Sequence, residues 1–169
     1  MELIEIKKGM ESDIEYLQNL GPRNSENDTS YKQLRQCEEW IKQRWESQGY
    51  TVKKHTYSIK EKEYSNLEIE IKGRTLPSEI IIISAQYDTL PDSPGANNNG
   101  SGIAILFQLT QLLRKHTPGR TLRLLNFVNE EDPFFGTEMM GSYQYAQRSR
   151  RLGENIKVML SLDTLGIYK

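Results

Sequence analysis

Four consecutive isoleucines, Ile80–Ile83, set in Glu79-Ile80-Ile81-Ile82-Ile83-Ser84, constrain this chain more than any other feature of it. β-branched side chains crowd a helix and suit a pleated strand, and apolar residues at successive positions require cover on both faces. The segment therefore predicts a strand inside a sheet, with other elements packed above and below it. The rest of the second half follows suit. Gly100–Lys115 carries Ile103, Leu106, Phe107, Leu109 and Leu113 on a broad helical face, and Thr121–Val128 reads as a second buried strand. Thr137–Arg151 reads as another helix and Ile156–Leu162 as a third buried strand. The order β-α-β-α-β predicts parallel strands joined by right-handed crossovers.

The first half differs in kind. From Tyr31, the positions Leu34, Cys37, Ile41 and Trp45 recur at helical spacing, with Thr29 or Ser30 as the cap and Gly49 as the stop. A shorter helix is expected over Asp13–Leu20, ended by Gly21-Pro22, and the polar run Arg23–Asp28 reads as a loop. Thr51–Ile59 and Tyr64–Ile71 alternate with period two. Leu67, Ile69 and Ile71 fall on one face and Glu68, Glu70 and Lys72 on the other, which predicts a hairpin with one wet face. No repeat or linker divides the chain, so residues 1–169 are expected to form one domain, with N-terminal helices over 1–50 and a sheet with crossover helices over 51–169. The fold class is α/β: a three-layer α/β/α sandwich around a mixed, largely parallel sheet.

Composition removes several functions. The 22 basic and 23 acidic side chains nearly cancel, to −1, so there is no basic excess for nucleic acid. The apolar runs fall far short of the roughly 20 residues that span a bilayer, and the acidic start Met1-Glu2-Leu3-Ile4-Glu5 is not a secretory leader. No membrane partner and a cytoplasmic location are expected. One cysteine, Cys37, and two histidines, His55 and His116, cannot build a Cys/His zinc site, so any metal site must lean on carboxylates. Both histidines read as solvated, and Arg148–Arg151 as a solvated helix C-terminus where positive charge suits the dipole.

In an open α/β sheet, ligands sit beyond the carboxyl ends of the strands. The three inner strands end in Ala85-Gln86-Tyr87-Asp88-Thr89, in Asn129-Glu130-Glu131-Asp132 and in Ser161-Leu162-Asp163-Thr164. Asp88, Glu130, Glu131 and Asp163 are thus directed to one edge, where like charges repel unless a cation or protons intervene. Gly95-Ala96-Asn97-Asn98-Asn99-Gly100-Ser101-Gly102 adds a glycine-rich turn that feeds a helix N-terminus.

These segments, with Phe127-Val128-Asn129-Glu130-Glu131 and Met159-Leu160-Ser161-Leu162-Asp163, resemble the motif set of the co-catalytic zinc aminopeptidases of the bacterial leucyl aminopeptidase and aminopeptidase Y type. Motif order and spacing agree, and Gly21-Pro22-Arg23 fits as well. The resemblance implies a zinc exopeptidase-like fold, removal of an N-terminal residue from a peptide, and two zinc ions. It gives Glu130 the role of general base, Asp88 that of orienting a metal-binding histidine, and Glu131 and Asp163 those of metal ligands. Two ligand positions are substituted: Gln86 stands where the family has histidine, and Asn98 where it has the carboxylate that bridges both metals. A later histidine of the family has no counterpart in these 169 residues, and relatives continue with further strands and helices, so the sheet is expected to be C-terminally incomplete.

Neutral amide oxygens supply neither charge nor strong donation to zinc. Zinc is therefore expected to be weakly bound, bound as a single ion, or absent. Without a metal to acidify water and polarise a carbonyl, Glu130 has no activated nucleophile to make. Three readings stay open. They are a weakly active or inactive exopeptidase, a pseudopeptidase that binds a peptide or protein partner, and a hard-ion site built from Asp88, Glu131, Asp163 and amide oxygens. An apolar strand left at an unfinished edge also predicts self-association.

Overall fold

The computed structural model describes residues 3–166. Its elements run α1 (Leu3–Leu20), α2 (Asp28–Ser47), β1 (Lys53–Ile59), β2 (Lys62–Ile71), β3 (Leu76–Gln86), α3 (Gly102–Leu113), β4 (Arg120–Phe127), α4 (Gly141–Arg151) and β5 (Asn155–Ser161). The five strands form one mixed sheet in the order β1-β2-β4-β3-β5. β1 and β2 pair antiparallel as a hairpin, β2 lies antiparallel to β4, and β4, β3 and β5 are mutually parallel.

The isoleucine run does what period two demands. Ile80 and Ile82 turn to one face and pack with Leu125, Phe127 and Tyr145, whereas Ile83 turns to the other and meets the larger core. That larger core is built by α1, α2 and α3, with Leu17, Leu34, Ile41, Trp45, Ile103, Leu106 and Phe107 closed over Leu67, Ile69 and Leu124. Each such side chain contributes about 1.5–3 kcal/mol on burial. Cys37 is part of the same packing, and burial pushes its thiol up to about 12, so it is an inert core residue. Among the described residues no helix is long and apolar enough to cross a membrane.

Several expectations are corrected. α1 begins at Leu3, ten residues before Asp13. α2 is capped by Asn27, whose side chain accepts from the Ser30 backbone N–H at 2.9 Å, so neither Thr29 nor Ser30 is the cap. α3 begins at Gly102, because Ala96–Ser101 forms an irregular π-type turn with non-helical torsions at Asn98 and Asn99. α4 begins at Gly141, since residues 131–140 are spent in turns.

The face of β2 expected to be wet is dry at Glu68, which is 1% exposed because α4 lies across it. Glu68 accepts from Tyr145 of α4 at 2.8 Å and from His55 of β1 at 2.9 Å, and Arg123 of β4 lies 3.6 Å away. Arg123 also donates to Glu70 and Glu154 at 2.8 Å each. His55 is therefore not solvated but part of a buried charged network. His116 is exposed, as expected.

β5 departs from its expected burial. It sits at the sheet edge, with Val158, Met159 and Leu160 each 45–50% exposed.

Candidate functional site

The parallel strands bring their carboxyl ends to one edge, and loops converge there from four places. The deepest anchor is Arg23, in the segment that reads as a polar loop. It is fully buried. Its guanidinium donates to the carbonyls of Tyr87 (2.9 Å), Leu17 (2.9 Å), Gly21 (3.1 Å), Pro94 (2.7 Å) and Gly95 (3.4 Å). Its backbone exchanges hydrogen bonds with Thr89. Arg23 thus fixes the path of residues 87–95 against α1. Gly95 is required here, since it has φ +64° and a Cβ would stand 2.3 Å from Thr89 Cγ2 and 2.7 Å from the guanidinium.

The asparagine triplet that follows has divided duties. Asn99 donates to the Leu162 carbonyl at 2.7 Å and accepts from the Thr164 N–H at 3.3 Å, and Asn97 accepts from the Gly166 N–H at 2.7 Å. The outer two residues therefore hold the segment after β5, and Asn98 turns the other way. Its amide nitrogen donates to Glu131 Oε1 at 2.7 Å, and the Gln86 amide donates to the same oxygen at 2.6 Å. Asp88 Oδ2 accepts from the Glu131 backbone N–H at 3.0 Å, while its Oδ1 is buried with no hydrogen-bond partner. Burial, partly opposed by such backbone donors, pushes the Asp88 carboxyl up to about 7.

Glu130 is turned elsewhere. Its two oxygens accept from the Ser142 N–H and hydroxyl, both at 2.7 Å, so it caps the N-terminus of α4. Burial raises its pKa against those two bonds. Gly141 permits the close start of α4, because a Cβ there would lie 2.2 Å from Asn66 Oδ1 and 2.5 Å from the Val128 carbonyl. Beside it, Tyr57 accepts from Asn129 at 3.0 Å and donates to the Met139 carbonyl at 3.2 Å.

The structure thus joins Gln86, Asp88, Asn98 and Glu131 in one hydrogen-bonded group, sets Glu130 on α4, and leaves Asp163 exposed. Among the described residues, no three His, Cys, Asp or Glu side chains gather in a metal-holding arrangement. The expected meeting of four carboxylates at this edge is to that extent corrected: the amides of Gln86 and Asn98 occupy Glu131 Oε1, Ser142 takes the Glu130 carboxylate, and Asp163 is exposed. The hard-ion trio of Asp88, Glu131 and Asp163 likewise does not assemble. Sequence reasoning missed Ser142 and Tyr57, and it named Arg23 and Asn129 only within motif segments, without their roles. Only the serine, twelve residues after Glu130 at the start of a helix, carries a local signal.

The family model described as peptidase family M28 matches residues 66–169, more than half of the chain. The chain belongs to peptidase family M28. Among curated relatives, the uncharacterized protein YfbL of Escherichia coli (strain K12) is 32% identical over 168 residues, 94% of this chain and 50% of its own length. A probable zinc metalloprotease of Pyrenophora tritici-repentis is 30% identical over 110 residues, 60% of this chain and 22% of its own. The chain thus spans half or less of the length of these relatives.

Solved structures with the same fold include a Porphyromonas gingivalis glutaminyl cyclase, with TM-score 0.75 at 21% identity, covering 94% of this chain and 59% of that one. A leucine aminopeptidase precursor of Bacteroides thetaiotaomicron gives TM-score 0.74 at 17% identity, covering 94% and 62%. The M28 assignment makes this a metallopeptidase-like α/β domain, with zinc metalloproteases among its relatives.

Proposed function

We propose that this M28 domain has a disarmed metal site, so that peptide hydrolysis by the zinc mechanism is weak or absent and the old cleft serves to bind a peptide N-terminus or a protein partner. The observation that carries this reading is the double donation to Glu131 Oε1 from the amides of Gln86 and Asn98. Those amides stand at the two substituted ligand positions. Their N–H groups offer the carboxylate the positive partial charge that a cation would otherwise supply, so the repulsion of a metal-free acidic site is relieved within the protein. The donor set does not fit a zinc pair. Glu131 and Asp163 bring two negative charges, the amide oxygens bring none, and both histidines lie away from the edge. Glu130, spent on capping α4, has no acidified water to deprotonate.

Titration calorimetry with zinc on the metal-stripped chain, beside the variant Gln86→His/Asn98→Asp, tests this. The natural chain is expected to take up no zinc at micromolar concentrations, and the variant to bind at least about tenfold tighter, a gain of about 1.4 kcal/mol or more. Micromolar zinc binding by the natural chain would overturn the proposal.

The outer edge of β5 favours a second reading, that two copies associate there. Among the described residues no strand pairs with its outer edge, its apolar residues are exposed on both faces, and Lys157 lies 3.8 Å from Glu79, which leaves little net charge to repel a second strand. Antiparallel pairing of two β5 strands about a two-fold axis would supply identical apolar cover to each. Val158→Lys is expected to shift the chain from dimer to monomer in sedimentation. A natural chain that stays monomeric at 100 μM, as an order-of-magnitude upper concentration, sinks the idea.

A further inference from the structure

We propose that the cleft between β1 and α4 binds an oxyanion, the phosphate or carboxylate group of a small ligand. The cleft has a volume of about 340 Å³, and its chemistry is one-sided. Gln144, Arg148 and Arg151 recur along one stripe of α4 at helical spacing, and His55, Tyr57 and Asn66 supply the opposite wall from the hairpin. Among the described residues, no aspartate or glutamate lines it.

The carboxylates nearest to the cleft are already engaged beneath it. Glu68 accepts from His55 and Tyr145, and Glu70 and Glu154 from Arg123. Arg148 Nη1 approaches Glu154 Oε1 only to 3.6 Å, beyond hydrogen-bond range, and this nitrogen is buried with no acceptor. That nitrogen is closed off from the cleft, so an anion would meet the rest of the Arg148 side chain, which is 34% exposed and borders the cleft. Arg151, exposed one turn further along, adds a second guanidinium of the geometry that matches carboxylate and phosphate oxygens. The run Arg148–Arg151 is therefore more than a solvated helix end: two of its arginines border the cleft. This inference does not depend on the state of the former metal site.

The test is a chemical-shift titration of the isotope-labelled chain with inorganic phosphate in one arm and malonate in the other, at fixed ionic strength. Saturable shifts at residues 54–57 and 144–151 are expected in at least one arm, and the arm that responds identifies the anion. Arg151→Gln should weaken binding about tenfold and Arg148→Gln/Arg151→Gln should remove it, while the charge-matched control Lys115→Gln leaves it unchanged. Arg151 is exposed, so its variant keeps the fold even where the double variant does not. Absence of saturable shifts in both arms, or equal weakening by Lys115→Gln, would overturn the proposal.

Discussion

Arg23→Met is expected to destabilise the chain by at least about 4 kcal/mol at 25 °C. Five backbone carbonyls, from Leu17, Gly21, Tyr87, Pro94 and Gly95, take their donor from this one guanidinium. Hydrogen bonds to a charged donor contribute about 1.5–3 kcal/mol each, and carbonyls left buried without a donor cost about 1–3 kcal/mol. Part of that gain is offset by the cost of burying the charge, which also lowers the Arg23 pKa. The remainder is still comparable with the whole stability of a domain this size. Lysine is not a rescue, because one ammonium cannot span acceptors that a planar fork reaches. Urea unfolding of the natural chain, Arg23→Met and Arg23→Lys is the measurement. A midpoint for either variant within about 0.3 M of the natural one would show that the loop over residues 87–95 is held by other means.

The second large effect is in acid. Glu68 lies under α4, where burial alone would push its carboxyl up, but hydrogen bonds from His55 and Tyr145 and the charge of Arg123 outweigh this and hold it down at about 2, below its ordinary 4.5. A carboxyl whose folded pKa is depressed binds fewer protons when native than when unfolded. Its contribution is therefore complete above about pH 4.5 and is lost as the pH falls toward 2. The difference corresponds to a contribution on the order of 3 kcal/mol. Glu68→Gln removes the titration, while Arg123 keeps its bonds to Glu70 and Glu154. Stability measured at pH 6, 4 and 2.5 is expected to fall more steeply for the natural chain than for Glu68→Gln, so the gap between them narrows toward acid. A gap that stays constant across that window would show that Glu68 is not the titrating group.

Much of the architecture was legible in the chain itself. Strand and helix periods are local properties, and the run Ile80–Ile83 demands cover on both faces whatever lies elsewhere. The order of the elements then sends the ends of β3, β4 and β5 to one edge, and the motifs there suffice to place Gln86, Asp88, Asn98, Glu130, Glu131 and Asp163. Which of these touch one another was not legible. Glu131 meets amides 45 and 33 residues away, and Glu130 is taken by Ser142 only because α4 begins at Gly141. The alternation of Glu68 and Glu70 with leucine and isoleucine reads as a wet face, and it became a buried ionic network once α4 was laid over β2. Arg23 stood in a motif segment, but its role was not legible until five carbonyls were brought around it.

The sequence alone determined the fold class and the edge at which chemistry would collect, because periodicity and propensity act over a few residues. The tertiary structure decided which charges are buried, which amides meet Glu131 and which strand is left exposed. Those outcomes depend on desolvation and on partners that packing brings together from far along the chain.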